Sequence, residues 1–326
     1  VIVLYFWTVK HASTLLSRLV DEQSGGKISL TVKKVKFNLF DLRIRFIEPD
    51  IQTKDSINTS TGYHVKAENL TFQVHSLTSF IFRKQITVDS IIVNAPVINV
   101  IKYKRETASS ISLPQEFEQI YQSLESALKN IKLDYLHIDS ASLNIYDRTS
   151  PGKAPLQVSH LNLTINTLAS TGNNAADNRF MFTDRILLEV FNQDIEFKEG
   201  LQGIKFKRLR LSTASKTVKL DSCNLYSRSS KSSYDNLNIF FDSVNISNLD
   251  FNKLIKNDIL KLDSAICFNP QISFQIETRK KKKTQSIVIN KAATNKDSVV
   301  AEFKKLLGDI DIGYLAVNNA SIQLGS

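Results

Sequence analysis

From Lys27 onward apolar residues recur at every second position. Ile28, Leu30 and Val32 are followed by Val35, Phe37 and Leu39, then by Leu42, Ile44 and Phe46, while Lys33, Lys34, Lys36, Arg43 and Arg45 fall between them. A period of two places alternate side chains on opposite faces of a strand, so this stretch predicts strands with one apolar and one basic face. Before it, Ala12, Leu15, Leu16, Leu19 and Val20 recur at three and four and predict a short amphipathic helix over 11–26, stopped by Gly25-Gly26. The helix follows an apolar run, Val1 to Val9, that ends at Lys10-His11. A bilayer span needs about 20 apolar residues. Residues 1–10 therefore read as the distal end of a truncated transmembrane helix, with Ile2, Leu4, Phe6 and Trp7 as anchor residues.

Laying the chain over itself exposes an internal repeat. Residues 86–100 (Ile-Thr-Val-Asp-Ser-Ile-Ile-Val-Asn-Ala-Pro-Val-Ile-Asn-Val) match 131–145 without a gap, and 260–274 and 310–324 supply two further copies. In each copy the alternation pauses at two central residues: Asn94-Ala95, Asp139-Ser140, Phe268-Asn269 and Asn318-Asn319. Asn and Asp tolerate the positive φ of two-residue turns, so the pause predicts antiparallel hairpins at 86–100, 131–145 and 310–324, while the third copy has Phe268 in the first turn position. A second motif precedes the hairpins as a half-buried strand at 67–74, 159–165 and 242–246, and 218–225 repeats the first half of the unit. Copies one and two flank a helix signal at 114–130, and copies three and four another at about 297–308. The expected organisation is a first β-repeat module at 27–148, its repeats falling within 60–148. Further strands and a second module follow over 149–326, with repeats in 235–326, and the chain is expected to continue beyond its C-terminus.

Composition agrees with a folded, strand-rich chain: 42% hydrophobic and 23% charged residues, with 10 Gly and 6 Pro in 326. The fold class read from these patterns is mainly β: an antiparallel sheet built of repeated hairpins, with a few short helices and the N-terminal helix. Charge narrows the partners. A formal net charge of +10 suits a phospholipid surface or a nucleic acid. The chain carries no helix-turn-helix, zinc-finger or ribonucleoprotein signature, so nucleic acid is set aside. The basic run Arg279, Lys280, Lys281, Lys282 and Lys283 is the candidate for an anionic surface, although a solvated loop explains it as well.

The chemistry-bearing residues point away from catalysis. No nucleophile-elbow, HExxH, Walker-type or GxGxxG pattern occurs. His11, His64, His75, His137 and His160 are scattered. Asp89, Asp134 and Asp263 share one repeat position, but Gly313 takes it in the fourth copy, so they read as solvent-facing strand residues. Cys223 and Cys267 show no metal-ligand spacing and suggest no disulfide framework. No catalytic residue, metal or cofactor is expected.

The apolar N-terminal run, the helix ending in Ser24-Gly25-Gly26-Lys27, the strands through Phe37-Asn38-Leu39-Phe40 and the "Ile-x-Val-Asp-x-Ile-x-Val-x-x-Pro-x-Ile" unit resemble the AsmA-like proteins of Gram-negative envelopes. The resemblance covers nearly the whole chain at the level of pattern and includes no diagnostic signature. It implies an anchor in the bacterial inner membrane, a periplasmic domain whose elongated, curved antiparallel sheet forms a taco-like groove related to chorein-type bridges, and a role in outer-membrane biogenesis or lipid homeostasis. The implied partners are membrane phospholipid and other envelope proteins. Candidate groove residues are Phe72, Val74, Ile98, Leu143, Val244, Ile246 and Ile272. A scaffolding envelope protein, its apolar face closed by helices and binding partner proteins, is the alternative.

Overall fold

The computed structural model describes several residues between 13 and 22, then 24–38, 41–54, 61–75, 88–103, 132–149, 155–169, 183–197, 202–227, 234–257, 259–276 and 309–325. They are overwhelmingly strand, and the sixteen strands form one mixed sheet. The anchor residues Ile2, Leu4, Phe6 and Trp7, the helix signals at 114–130 and 297–308, and Arg279–Lys283 lie outside the described residues. Among those described, no helix is long and apolar enough to cross a membrane.

The chain divides into two compact units. The first holds β1 (Ile28–Asn38), β2 (Arg43–Thr53), β3 (Thr61–Lys66), β4 (Asn69–Val74), β5 (Val88–Asn94), β6 (Val97–Lys102), β7 (Lys132–Asp147), β8 (Leu156–Ala169) and β9 (Thr183–Phe197) up to Asn192. Ahead of β1, helical residues occur between 13 and 22. This helix stops where expected: Gly25 and Gly26 take φ of 61° and 78°, and the Gly26 N–H donates to Asp21 O at 2.7 Å.

The second unit holds the end of β9 from Gln193, β10 (Gln202–Ser212) up to Leu211, β11 (Thr217–Ser227), β12 (Tyr234–Ser247), β13 (Ile259–Phe268), β14 (Gln271–Ile276), β15 (Asp309–Asn318) and β16 (Ser321–Gly325). It also contains a short helix, Phe251–Asn257, that is not among the expected elements although Phe251, Leu254 and Ile255 recur at three and four. Its start is marked by Asp250, whose carboxylate accepts the Lys253 N–H at 3.0 Å.

The expected hairpins are not there. Asp139-Ser140 lies in the middle of one continuous strand, β7. In the first copy β5 and β6 both run parallel to β7, so they are two lengths of one line rather than antiparallel arms. The third copy behaves alike, β13 and β14 both being antiparallel to β12, and in the fourth β15 and β16 run parallel to β13 and β14. The sheet is therefore mixed rather than purely antiparallel.

The pause in alternation is a kink. Ala95, Ser140, Asn269 and Asn319 occupy one repeat position and all take left-handed backbone, with φ of 46°, 55°, 50° and 55°. One residue left over in this way shifts the alternation, so that apolar residues on both sides of the kink share a face. The ladder runs on through it: Ala95 N–H donates to Asp139 O at 2.8 Å and Ser142 N–H to Pro96 O at 2.8 Å. Asn269 to Asn318 and Ser321 to Pro270 repeat those two bonds, at 2.9 and 2.8 Å.

The internal repeat is itself the register. Ile91 faces Leu136, Val93 faces Ile138 and Ile98 faces Leu143, an offset of 136 − 91 = 45 in every case. Leu260 faces Ile310 and Ile272 faces Ile322, an offset of 310 − 260 = 50. Each repeat residue thus lies beside its own equivalent. Asn144 donates to Asn99 at 3.0 Å and Asn319 to Asn269 at 3.2 Å, which marks the register with side-chain bonds. Parallel neighbours cannot be joined by a tight turn and need a crossover of about a dozen residues or more, for which offsets of 45 and 50 leave room.

Candidate functional site

Residues directly opposite in a ladder share a face, so the register can be followed from strand to strand in the first unit. Phe37, Ile44, Phe72, Ile91, Leu136, Ile165 and Ile186 form one row over β1, β2, β4, β5, β7, β8 and β9. Val35, Phe46, Leu70, Val93, Ile138, Leu163 and Leu188 form the row beside it. Beyond the kink, Ile51, Val65, Ile98, Leu143 and Val158 continue the pattern on β2, β3, β6, β7 and β8. The apolar face is thus unbroken by a charge across seven strands.

The face is in part a core. Val35, Ile44 and Phe46 are buried together, with Phe37, Leu70 and Phe72 packed against them. The Phe72 ring meets that of Phe46 edge-on at 5.3 Å. Burying such side chains contributes about 1.5–3 kcal/mol each. The opposite face is polar: Lys36, Arg45 and Thr71 form one row, and Asn38, Arg43 and Gln73 another. Lys33, Lys34, Lys36, Arg43 and Arg45 are all exposed, with Lys33 paired to Glu48.

Most of the groove candidates fall on this scaffold. Phe72, Ile98 and Leu143 are half-buried in the first unit. Ile98 and Leu143 are direct neighbours, while Phe72 lies in another row. Val74 sits opposite Val88. In the second unit, Val244 lies between Leu220 and Cys267, and Ile246 between Val218 and Ala265. Ile272 lies between Ile239 and Ile322. Val244, Ile246 and Ile272 are likewise half-buried. Sequence reasoning named Phe72 but missed its row-mates Ile44, Ile91, Leu136 and Ile165. The signal was available, since equal offsets between repeat copies predict which residues pair.

The polar candidates do not converge. Asp134 and Asp263 are exposed, and Asp263 accepts from Asn248 Nδ2 at 2.7 Å. Asp89 lies 3.5 Å from His75. Gly313, at the equivalent position, has a steric reason: a Cβ there would lie 2.8 Å from the Asp263 carbonyl oxygen. His64 contacts Asp50 at 2.9 Å and His137 contacts Thr164 at 3.0 Å, both within ladders. Among the described residues, no three His, Cys, Asp or Glu side chains are gathered to hold a metal. Cys223 is buried and Cys267 half-buried, both as free thiols. Burial first, and then neighbouring Cys267, pushes the Cys223 thiol up to about 11. Both effects disfavour a reactive thiolate.

No protein-family model and no curated protein matches the chain. Among solved structures, the crystal structure of the sex pheromone staph-cAM373 precursor aligns over 96% of this chain and 84% of its own, at 8% identity and a TM-score of 0.18. A score that low carries no argument about fold or function.

Proposed function

We propose that this chain is a non-enzymatic envelope protein of the AsmA-like type, anchored in the bacterial inner membrane and carrying phospholipid acyl chains along an apolar sheet face in the periplasm. The observation that supports this reading is the apolar surface running unbroken over seven strands of the first unit, backed by a polar and basic opposite face. A sheet suits such a cargo because its backbone polar groups are satisfied along the ladder, leaving side chains alone to meet the lipid. Half-buried residues such as Ile98 and Leu143 keep apolar area accessible.

The test is to purify the chain in gentle detergent and analyse the organic extract by mass spectrometry. Phospholipid should be retained by the wild type and by Lys36→Asp on the polar face. It should be lost from Ile98→Asp and Leu143→Asp variants, at half-buried neighbours outside the Val35–Ile44–Phe46 cluster, whose circular dichroism is unchanged. A lipid-free wild type would turn the reading toward the scaffolding alternative.

A further inference from the structure

Several exposed lysines of the chain are matched by carboxylates. Lys54 pairs with Asp21, Lys66 with Asp50, Lys205 with Asp194 and Lys261 with Asp311. On β1 and β2 the balance fails. Lys33 pairs with Glu48, and Arg43 lies 4.0 Å from Asp41. Lys34, Lys36 and Arg45 stand exposed, and among the described residues no carboxylate is paired with them. Five cations against these two carboxylates leave 5 − 2 = 3 unbalanced.

Lys36 moreover lies directly opposite Arg45, in a row whose next member is Thr71. Like charges directly opposite destabilise a strand pair, and a glutamate at either position would remove the repulsion. Edge protection accounts for the lysines: among the described residues β1 pairs with β2 alone, and lysine blunts an open edge. It does not account for Arg43 and Arg45, because β2 is paired on both sides, to β1 and to β4.

We propose that the polar face of β1 and β2, centred on Lys34, Lys36, Arg43 and Arg45, rests on the anionic headgroup surface of a phospholipid bilayer. Charge complementarity requires an anion, and the arrangement selects a bilayer. Cations at alternate positions of neighbouring strands stand about 5 Å apart across the strands and about 7 Å along them. Spread in this way over a face, they meet separate headgroups rather than one ligand. The rows of this face on β1, β2 and β4 are Lys34, Ile47 and Asn69; Lys36, Arg45 and Thr71; and Asn38, Arg43 and Gln73. They hold no aromatic ring on which nucleic-acid bases could stack. The apolar run that ends at Val9, read as a membrane anchor, lies 33 − 9 = 24 residues before Lys33, which keeps the face within reach of that membrane. The placement rests on the anchorage in the proposed function, but it concerns headgroups on the face opposite to the one that meets acyl chains.

Flotation of the 326-residue chain with phosphatidylcholine vesicles, with or without added phosphatidylglycerol, tests the proposal. Phosphatidylglycerol should raise wild-type binding at least about ten-fold. Lys36→Glu and Arg45→Glu should each abolish most of that gain. Lys216→Glu, an equal charge change at an exposed turn position, should keep it. Because Lys36→Glu and Arg45→Glu each place opposite charges across the ladder, both variants should also unfold at higher urea concentration than the wild type. Weaker vesicle binding by a more stable protein is a combination that a merely solvated face does not produce, and it excludes loss of fold as the cause. Wild-type binding indifferent to phosphatidylglycerol would overturn the proposal, as would an equal loss of the gain in all three variants. So would single-stranded DNA or polyglutamate binding through Lys36 and Arg45 when the vesicles do not bind. A chain that floats with anionic vesicles but leaves gentle detergent free of lipid would sink the acyl-chain reading alone and uphold this one.

Discussion

Cys223 is the most completely buried thiol, 1% exposed, opposite Phe241 in the ladder between β11 and β12. Its ordinary value of 9.0 is raised to about 11, chiefly by burial. Because the folded value is the higher one, the neutral thiol contributes stability that is fully present below pH 9 and lost as pH rises from 9 through 11. Urea titrations across that window should show stability falling more steeply for the wild type than for Cys223→Ala, whatever constant offset the smaller side chain introduces. Equal slopes would show that the thiol is not desolvated. Ellman's reagent at about pH 8 should modify Cys223 only slowly in the folded chain, and rapidly once urea exposes it.

At the scale of the strand, the kinks carry both the fold and the error in reading it. Alternation located the strands well: 131–145 falls on β7, and 310–324 on β15 and β16. What it could not settle was the meaning of Asp139-Ser140, because a left-handed residue serves a hairpin and a bulge equally. The deciding fact is non-local, namely which strand lies alongside, and a parallel copy fixes β7 as continuous. One sequence clue was available. Val88 and Ile91 are three apart rather than two, and the ladder shifts there, between Gln73 and Val74. Alternation was thus already adjusted once by a bulge within the same copy. The left-handed residue at 140 is a serine, with φ of 55°. For an L-residue that conformation costs about 1–2 kcal/mol, against about 0.5–1 kcal/mol for the extra entropy of glycine. Ser140→Gly should therefore raise stability by about 0.5–1 kcal/mol by chemical denaturation, while Asn144→Gly, in the regular ladder beyond the kink, should lower it.

For the molecule as a whole, the class of fold was legible because an amphipathic sheet writes its period into the chain, whereas the continuity of its face was not. Residues far apart in sequence, such as Ile44, Phe72 and Ile186, become row-mates only through register. The proposed membrane partner makes the net charge of +10 testable. Co-sedimentation with vesicles should rise with their phosphatidylserine content and fall away near about 1 M salt, where the screening length is about 3 Å. Binding indifferent to salt would assign no role to the charge. The in-register pairing of equivalent residues has a consequence for how such a sheet could lengthen over evolutionary time. A tandem duplication of one repeat and its connection delivers a strand whose kink, asparagine and apolar positions already match those of its parent. Widening the sheet therefore requires copying a segment, with no new complementarity to be invented.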